Sequence, residues 1–122
     1  VKCWEDLDNI EGYWMSDTVE VVHSPSIGTL PNNRNIFATR EQAEASIVLA
    51  QLSQLMKNVN GDWTPDWGNN EEDKYSITFS NNKINRYFSI FYSKFLSFPT
   101  EEIRDKFLEN HRELIMKARP LL

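Results

Sequence analysis

His23 and His111 are the only imidazoles in this 122-residue sequence, and Cys3 is its only thiol. Nucleophilic catalysis needs a base within hydrogen-bonding reach of its nucleophile and a third group to orient that base. The spacing of these three residues supplies no such set, and no nucleophile-elbow motif is present. The four glycines are too scattered to form a phosphate-cradling loop. One cysteine excludes both an internal disulfide and a cysteine-based zinc site. Two histidines would need carboxylates to complete a metal site, and no spacing provides them. The densest run of acids, Asp62, Asp66, Glu71, Glu72 and Asp73, lacks the alternating oxygen ligands, central glycine and terminal glutamate of a calcium loop. It reads as a solvated acidic turn. The expectation is a non-enzymatic protein with no catalytic residue, metal or cofactor; a small enzyme without a recognisable motif is the second alternative.

Two aromatic segments offer binding chemistry instead. In Trp63-Thr64-Pro65-Asp66-Trp67, Pro65 fixes its own φ and biases Thr64 toward extended backbone, so two indoles sit on a stiff loop. They suit stacking on a sugar, a base or a partner's side chain, and they equally suit capping the core beside a helix. Residues 83–94 interleave Lys83, Arg86 and Lys94 with Tyr87, Phe88, Phe91 and Tyr92. Cations that hold phosphates beside rings that stack on bases make a single-strand-binding platform, with Lys83, Arg86, Tyr87 and Phe91 as its contacts. However, Tyr87 stands where an RNA-recognition strand needs Gly, and Ile90 where it needs an aromatic. An ordinary central strand flanked by gatekeeper charges fits these residues better.

The elements that must carry these segments are two helices and several strands. Thr39-Arg40-Glu41-Gln42 fits a capping box, and residues 40–58 continue without Gly or Pro until Asn60-Gly61. At 100° per residue Ala45, Val48, Leu49, Leu52, Leu55 and Met56 share one stripe, while Ala43, Ile47 and Ala50 form a smaller strip opposite. A helix apolar on two sides is sandwiched, either within its domain or between subunits. A second helix begins after Thr100, with acids in its first turns and Arg112, Lys117 and Arg119 near its end, as the helix dipole favours. Ile103, Phe107, Leu108, His111, Leu114, Ile115 and Ala118 form its core-facing stripe, so His111 reads as a boundary histidine. Strand patterns cover Gly12-Tyr13-Trp14-Met15, 18–23, 75–79, 84–92 and 95–98. Asn81-Asn82 is placed for a tight hairpin turn. Residues 24–35 read as a loop. The expected fold is α+β: an antiparallel sheet of about five strands, in the order ββαβββα, with both long helices packed on one face.

Length and composition bound the rest. With 40% apolar and 25% charged residues, residues 1–122 have the balance of a single globular domain able to fold without disulfides. The chain opens on Val1, which leaves room for an N-terminal portion ahead of it. No apolar run reaches the ~18 residues of a membrane span, and the lone cysteine suits a reducing, cytoplasmic setting. The net charge of −5 hides a local contrast: residues 61–73 carry five acids and no base, residues 74–98 four bases and no acid. The acidic surroundings oppose phosphate steering, which disfavours a nucleic-acid partner.

Phe37-Ala38-Thr39-Arg40-Glu41-Gln42-Ala43-Glu44-Ala45, the run Leu49-Ala50-Gln51-Leu52-Ser53-Gln54-Leu55, the Trp63–Trp67 segment, Phe95-Leu96-Ser97-Phe98 and Phe107-Leu108-Glu109-Asn110 together resemble a family of short, uncharacterised phage- or prophage-associated proteins of gut bacteria. The resemblance is specific over residues 36–122 and rests nearer the start on Glu11-Gly12-Tyr13-Trp14. It implies phage association and brings no catalytic residues. His111 departs from the large apolar residue expected there. The function expected is a protein-interaction or phage accessory role, through self-association or an unknown protein partner. Trp63, Pro65, Trp67 and Ile47 are the candidate contacts. The alternative is single-stranded nucleic-acid binding through residues 83–94.

Overall fold

A computed structural model describes residues 12–15, 20–24, 36–89 and 94–122 of the chain. Both long helices start where a threonine satisfies an orphan backbone donor. Helix α1 (Arg40–Asn60) is capped by Thr39, whose hydroxyl accepts from the Gln42 amide at 3.1 Å. The reciprocal bond from the Gln42 side chain is absent among the described residues, so only half of the box forms. Gly61, at φ 62°, ends α1 by donating its N–H to the Lys57 carbonyl. Helix α2 (Glu101–Lys117) is capped in the same way by Thr100, whose hydroxyl accepts from the Ile103 amide at 3.2 Å. Its course is broken at His111, where φ −126° and ψ 24° leave the helical region. A 3-10 turn, Arg119–Leu121, follows with Pro120 in its first positions.

Strands β1 (Gly12–Met15) and β2 (Val21–Ser24) pair as an antiparallel hairpin. Strands β3 (Lys74–Ser80), β4 (Lys83–Ser89) and β5 (Ser97–Phe98) form a separate antiparallel sheet in the order β4-β3-β5. The single sheet expected from the pattern is therefore divided in two. The reason lies at β1. One of its edges pairs with β2, and the other bonds to Phe37 through Tyr13 N–H to Phe37 O at 2.7 Å and the reverse at 2.6 Å. Gly12 permits that approach, since a Cβ there would lie 2.1 Å from the Phe37 carbonyl oxygen.

The placement of the helices also differs from the expectation of two helices on one sheet face. Helix α2 lies on β3 and β5, while α1 packs against α2, the 3-10 turn and the β1–β2 hairpin. The two-sided apolar pattern of α1 is thus used within this chain. Ala43, from the smaller strip, is fully buried, whereas Ile47 is half-buried and Ala50 exposed. One hydrophobic cluster joins the layers: Val48 and Leu52 of α1, Ile77 of β3, Leu96 and Phe98, and Phe107, Leu108 and Ile115 of α2. The Phe98 and Phe107 rings meet at 4.9 Å with a 47° tilt. The Asn60 side-chain amide donates to the Ser97 carbonyl at 2.9 Å and ties the end of α1 to β5.

Asn81 and Asn82, at φ 52° and 63°, make the two-residue turn between β3 and β4. Two positive φ values in succession match the right-handed twist of the strands that they join. Left-handed backbone costs a residue with a Cβ about 1–2 kcal/mol unless it is Asn, Asp or Gly. Asn82→Val is accordingly expected to lower stability by about 1–2 kcal/mol in urea unfolding, and Asn82→Gly to raise it. Equal midpoints for the two variants would contradict the turn assignment.

Candidate interaction site

Lys74 begins β3 and is 0% exposed. Its ammonium donates to the Asn69 carbonyl at 2.9 Å and the Glu72 carbonyl at 3.1 Å, with the Glu72 carboxylate 4.0 Å away. The Trp67 ring lies beneath it, 5.2 Å from ammonium nitrogen to ring centroid, in a cation–π contact. The loop is wound to make this possible. Asn69 N–H donates to Asp66 O and Glu72 N–H to Asn69 O, giving two successive turns. The Asp66 carboxylate accepts from the Gly68 amide, the Asn69 side chain from the Glu71 amide, and the Glu72 carboxylate from the Asp66 amide. The acids expected to be merely solvated therefore include two, Asp66 and Glu72, that brace the loop. Trp63, Pro65 and Trp67 alternate as half-buried residues between exposed Thr64, Asp66 and Gly68. The indoles are neither a core pair nor a free platform.

Residues 83–89 depart from the expected central strand, because among the described residues β3 is central and β4 is an edge. From Lys83 to Phe88 only Ile84 is half-buried; the rest are exposed, with Phe88 at 52% and Tyr87 at 37%. The period of two along a strand decides which of them act together. Lys83, Asn85 and Tyr87 share one face, and the Lys94 ammonium lies 5.7 Å from the Tyr87 ring centroid. Arg86 and Phe88 occupy the other. Arg86 pairs with Asp105 of α2 at 3.7 Å, and the Phe88 ring meets Tyr75 edge-on at 5.5 Å. Of the residues proposed for the phosphate-and-stacking platform, Arg86 is turned away from Lys83 and Tyr87, and Phe91 lies outside the described residues.

Beneath this edge stands a buried cation that pattern reasoning missed. Arg104 is 5% exposed and donates to Asp105 at 3.0 Å, Glu101 at 3.3 Å and the Tyr87 carbonyl at 3.4 Å, with its guanidinium 5.6 Å from the Tyr75 ring centroid. The signal in the sequence was its position, three and four residues before Phe107 and Leu108 on the apolar stripe.

Ile47 lies elsewhere. It lines an open groove of about 420 Å³ with Glu41, Glu44, Val48, Met116, Lys117 and Pro120, where α1 meets the end of α2. Its groove is lined by no residue of the tryptophan loop, which follows the far end of α1, about 20 Å along the helix from Ile47 at 1.5 Å per residue. The histidines are also on unrelated elements. The His23 ring contacts Tyr13 in the hairpin at 5.2 Å, and His111 packs edge-on against Phe107 at 4.8 Å. Cys3 lies outside the described residues. Among the described residues no three His, Cys, Asp or Glu side chains are grouped to hold a metal ion, and no helix is long and apolar enough to cross a membrane.

Comparison of the chain with protein-family models, with curated proteins and with solved structures finds no match.

Hydrogen bonds from a charged donor contribute about 1.5–3 kcal/mol. Lys74→Met, which keeps the stem and removes the ammonium, is expected to cost about that much in urea unfolding. The loss should persist in ~1 M salt, because a buried charge is little screened. A change below about 0.5 kcal/mol, the usual range for surface substitutions, would show that the loop stands without it.

Proposed function

We propose that the chain is a non-enzymatic protein-interaction module that receives its partner along the free edge of β4. The observation that carries this reading is the exposure of that strand. Tyr87, Phe88 and Phe95 present large rings to solvent beside a strand bonded on one side only among the described residues. Long edges with exposed aromatics invite pairing with another chain, and proteins ordinarily cover or charge them. The sequence resemblance alone suggests that the partner is a host or phage protein, which makes the chain a phage accessory factor on this reading. The tryptophan loop is a weaker candidate surface, because the Lys74 ammonium takes a face of Trp67.

Placing a photo-crosslinking amino acid at Phe88, Trp63 or Ile47 tests the reading in living cells. A discrete protein adduct is expected from position 88, and it should diminish when the edge charges Lys83 and Lys94 are replaced by Glu. Adducts to nucleic acid from position 88 would favour the single-strand-binding alternative. No adduct from any of the three positions would refute an interaction role at these surfaces.

A further inference from the structure

We infer that β4 accepts an added strand, and that the strand it accepts is an extended acidic segment of the partner protein; this rests on the interaction reading above and specifies its chemistry. The register of the hairpin fixes which backbone groups are available. Ser80 and Lys83 flank the two-residue turn, whose own hydrogen bond makes them a bonded pair. Antiparallel pairs alternate between bonded and non-bonded, so Thr78–Asn85, Ser76–Tyr87 and Lys74–Ser89 are also bonded pairs. The N–H and C=O groups of Ile84, Arg86 and Phe88 therefore point away from β3. The other side of β3 obeys the same alternation: the Ile77 amide donates outward to Leu96 O at 3.1 Å. No described residue pairs with the outward backbone groups of Ile84, Arg86 and Phe88. Three residues offering donors and acceptors in turn match a peptide strand. A polynucleotide backbone has no N–H groups to satisfy the carbonyls.

Charge selects the occupant. Among the described residues, the carboxylates paired at this edge are those of Asp105, with Arg86 and Arg104, and Glu101, with Arg104. Lys83 and Lys94 are exposed, and among the described residues no carboxylate pairs with either. The edge thus keeps a positive surplus on the Lys83–Tyr87 face. A second copy of β4 would set cation against cation, since the strand carries no acid. An acidic strand with apolar residues between its carboxylates places charge on the face of Lys83, Tyr87 and Lys94 and packs its apolar side chains on the opposite face, beside Phe88.

The test uses the full chain and an end-blocked peptide of alternating Glu and Val, about eight residues long. Amide hydrogen exchange is followed by NMR. The peptide is expected to slow exchange at Ile84, Arg86 and Phe88 by about tenfold or more while leaving Asn85 and Tyr87, already in the ladder, unchanged. Binding should weaken about tenfold toward ~1 M salt, and by a similar factor in the Lys83→Glu, Lys94→Glu double variant. Binding without that alternating protection overturns the added strand, as does no binding at low salt. Equal binding of a Lys and Val peptide overturns the charge selection. Tighter binding of a poly-dT oligonucleotide, or concentration-dependent protection without peptide, assigns the edge to nucleic acid or to a second copy. If every peptide arm fails while position 88 still crosslinks a protein in cells, the added acidic strand is wrong and the interaction role stands.

Discussion

An ammonium group removed from water needs oxygen atoms around it, and Lys74 finds them in the loop that precedes it in the chain. Burying an unpaired charge is prohibitively costly, so the backbone of residues 66–72 has to turn twice and present the Asn69 and Glu72 carbonyls. That folding decides several other things together. It anchors the start of β3, brings Trp67 under the cation, and draws the Asp66 and Glu72 carboxylates into bracing roles. The strand so anchored is the one whose two edges bond to β4 and β5 and whose Ile77 enters the core. Lys74 and Ser76, on the polar face of β3, are buried as Ile77 is on the apolar one, so the start of a strand that alternates in sequence is covered on both sides.

Arg104 solves the same problem on the opposite face of the sheet with different chemistry. A planar guanidinium can bond in several directions at once, and here it reaches two carboxylates on its own helix and the Tyr87 carbonyl of β4. It rests on Tyr75, which in turn meets Phe88. Helix α2 is thereby joined to the sheet by an apolar stripe toward β5 and by a polar clamp toward β4. A clamp of charges leaves the β4 side thinly covered, so Phe88 remains half in solvent although it faces the helix side of the sheet.

What could be read from the sequence was local. Thr39 and Thr100 cap through bonds that span three residues, Asn81-Asn82 turns within four, and the helix stripes follow from a fixed rotation per residue. These features depend on few neighbours. The role of Lys74 depends on a loop folding back over it, and a basic residue after an acidic run looks the same whether it is buried or solvated. Arg104 falls on an apolar stripe, where its type contradicts its position. Whether residues 83–89 lie at the centre or the edge of a sheet is decided by where β5 pairs, and β5 joins β3 through only two residues, Tyr75 and Ser76, well separated from it in the chain. The break in α2 at His111 has no Pro or Gly to announce it. The candidate site was half legible: the aromatic and basic residues of β4 were singled out, but the strand's period separates the ones that were grouped together.

Four bases lie between residues 74 and 98, and the fold uses them unequally. Lys74 is consumed by the loop and Arg86 is partly neutralised by Asp105. Among the described residues Lys83 and Lys94 pair with no carboxylate, and the Lys94 ammonium lies against the Tyr87 ring. Charges on an exposed edge are commonly guards against indiscriminate pairing, since a like-charged strand is repelled before its backbone can bond. Guarding and recognition are the same electrostatics seen from two partners. On the proposal of an added strand, one carrying cations would be refused and one carrying carboxylates admitted. On that proposal an edge charged with one sign is selective rather than closed, and its selectivity comes from Lys83 and Lys94, which no carboxylate neutralises among the described residues.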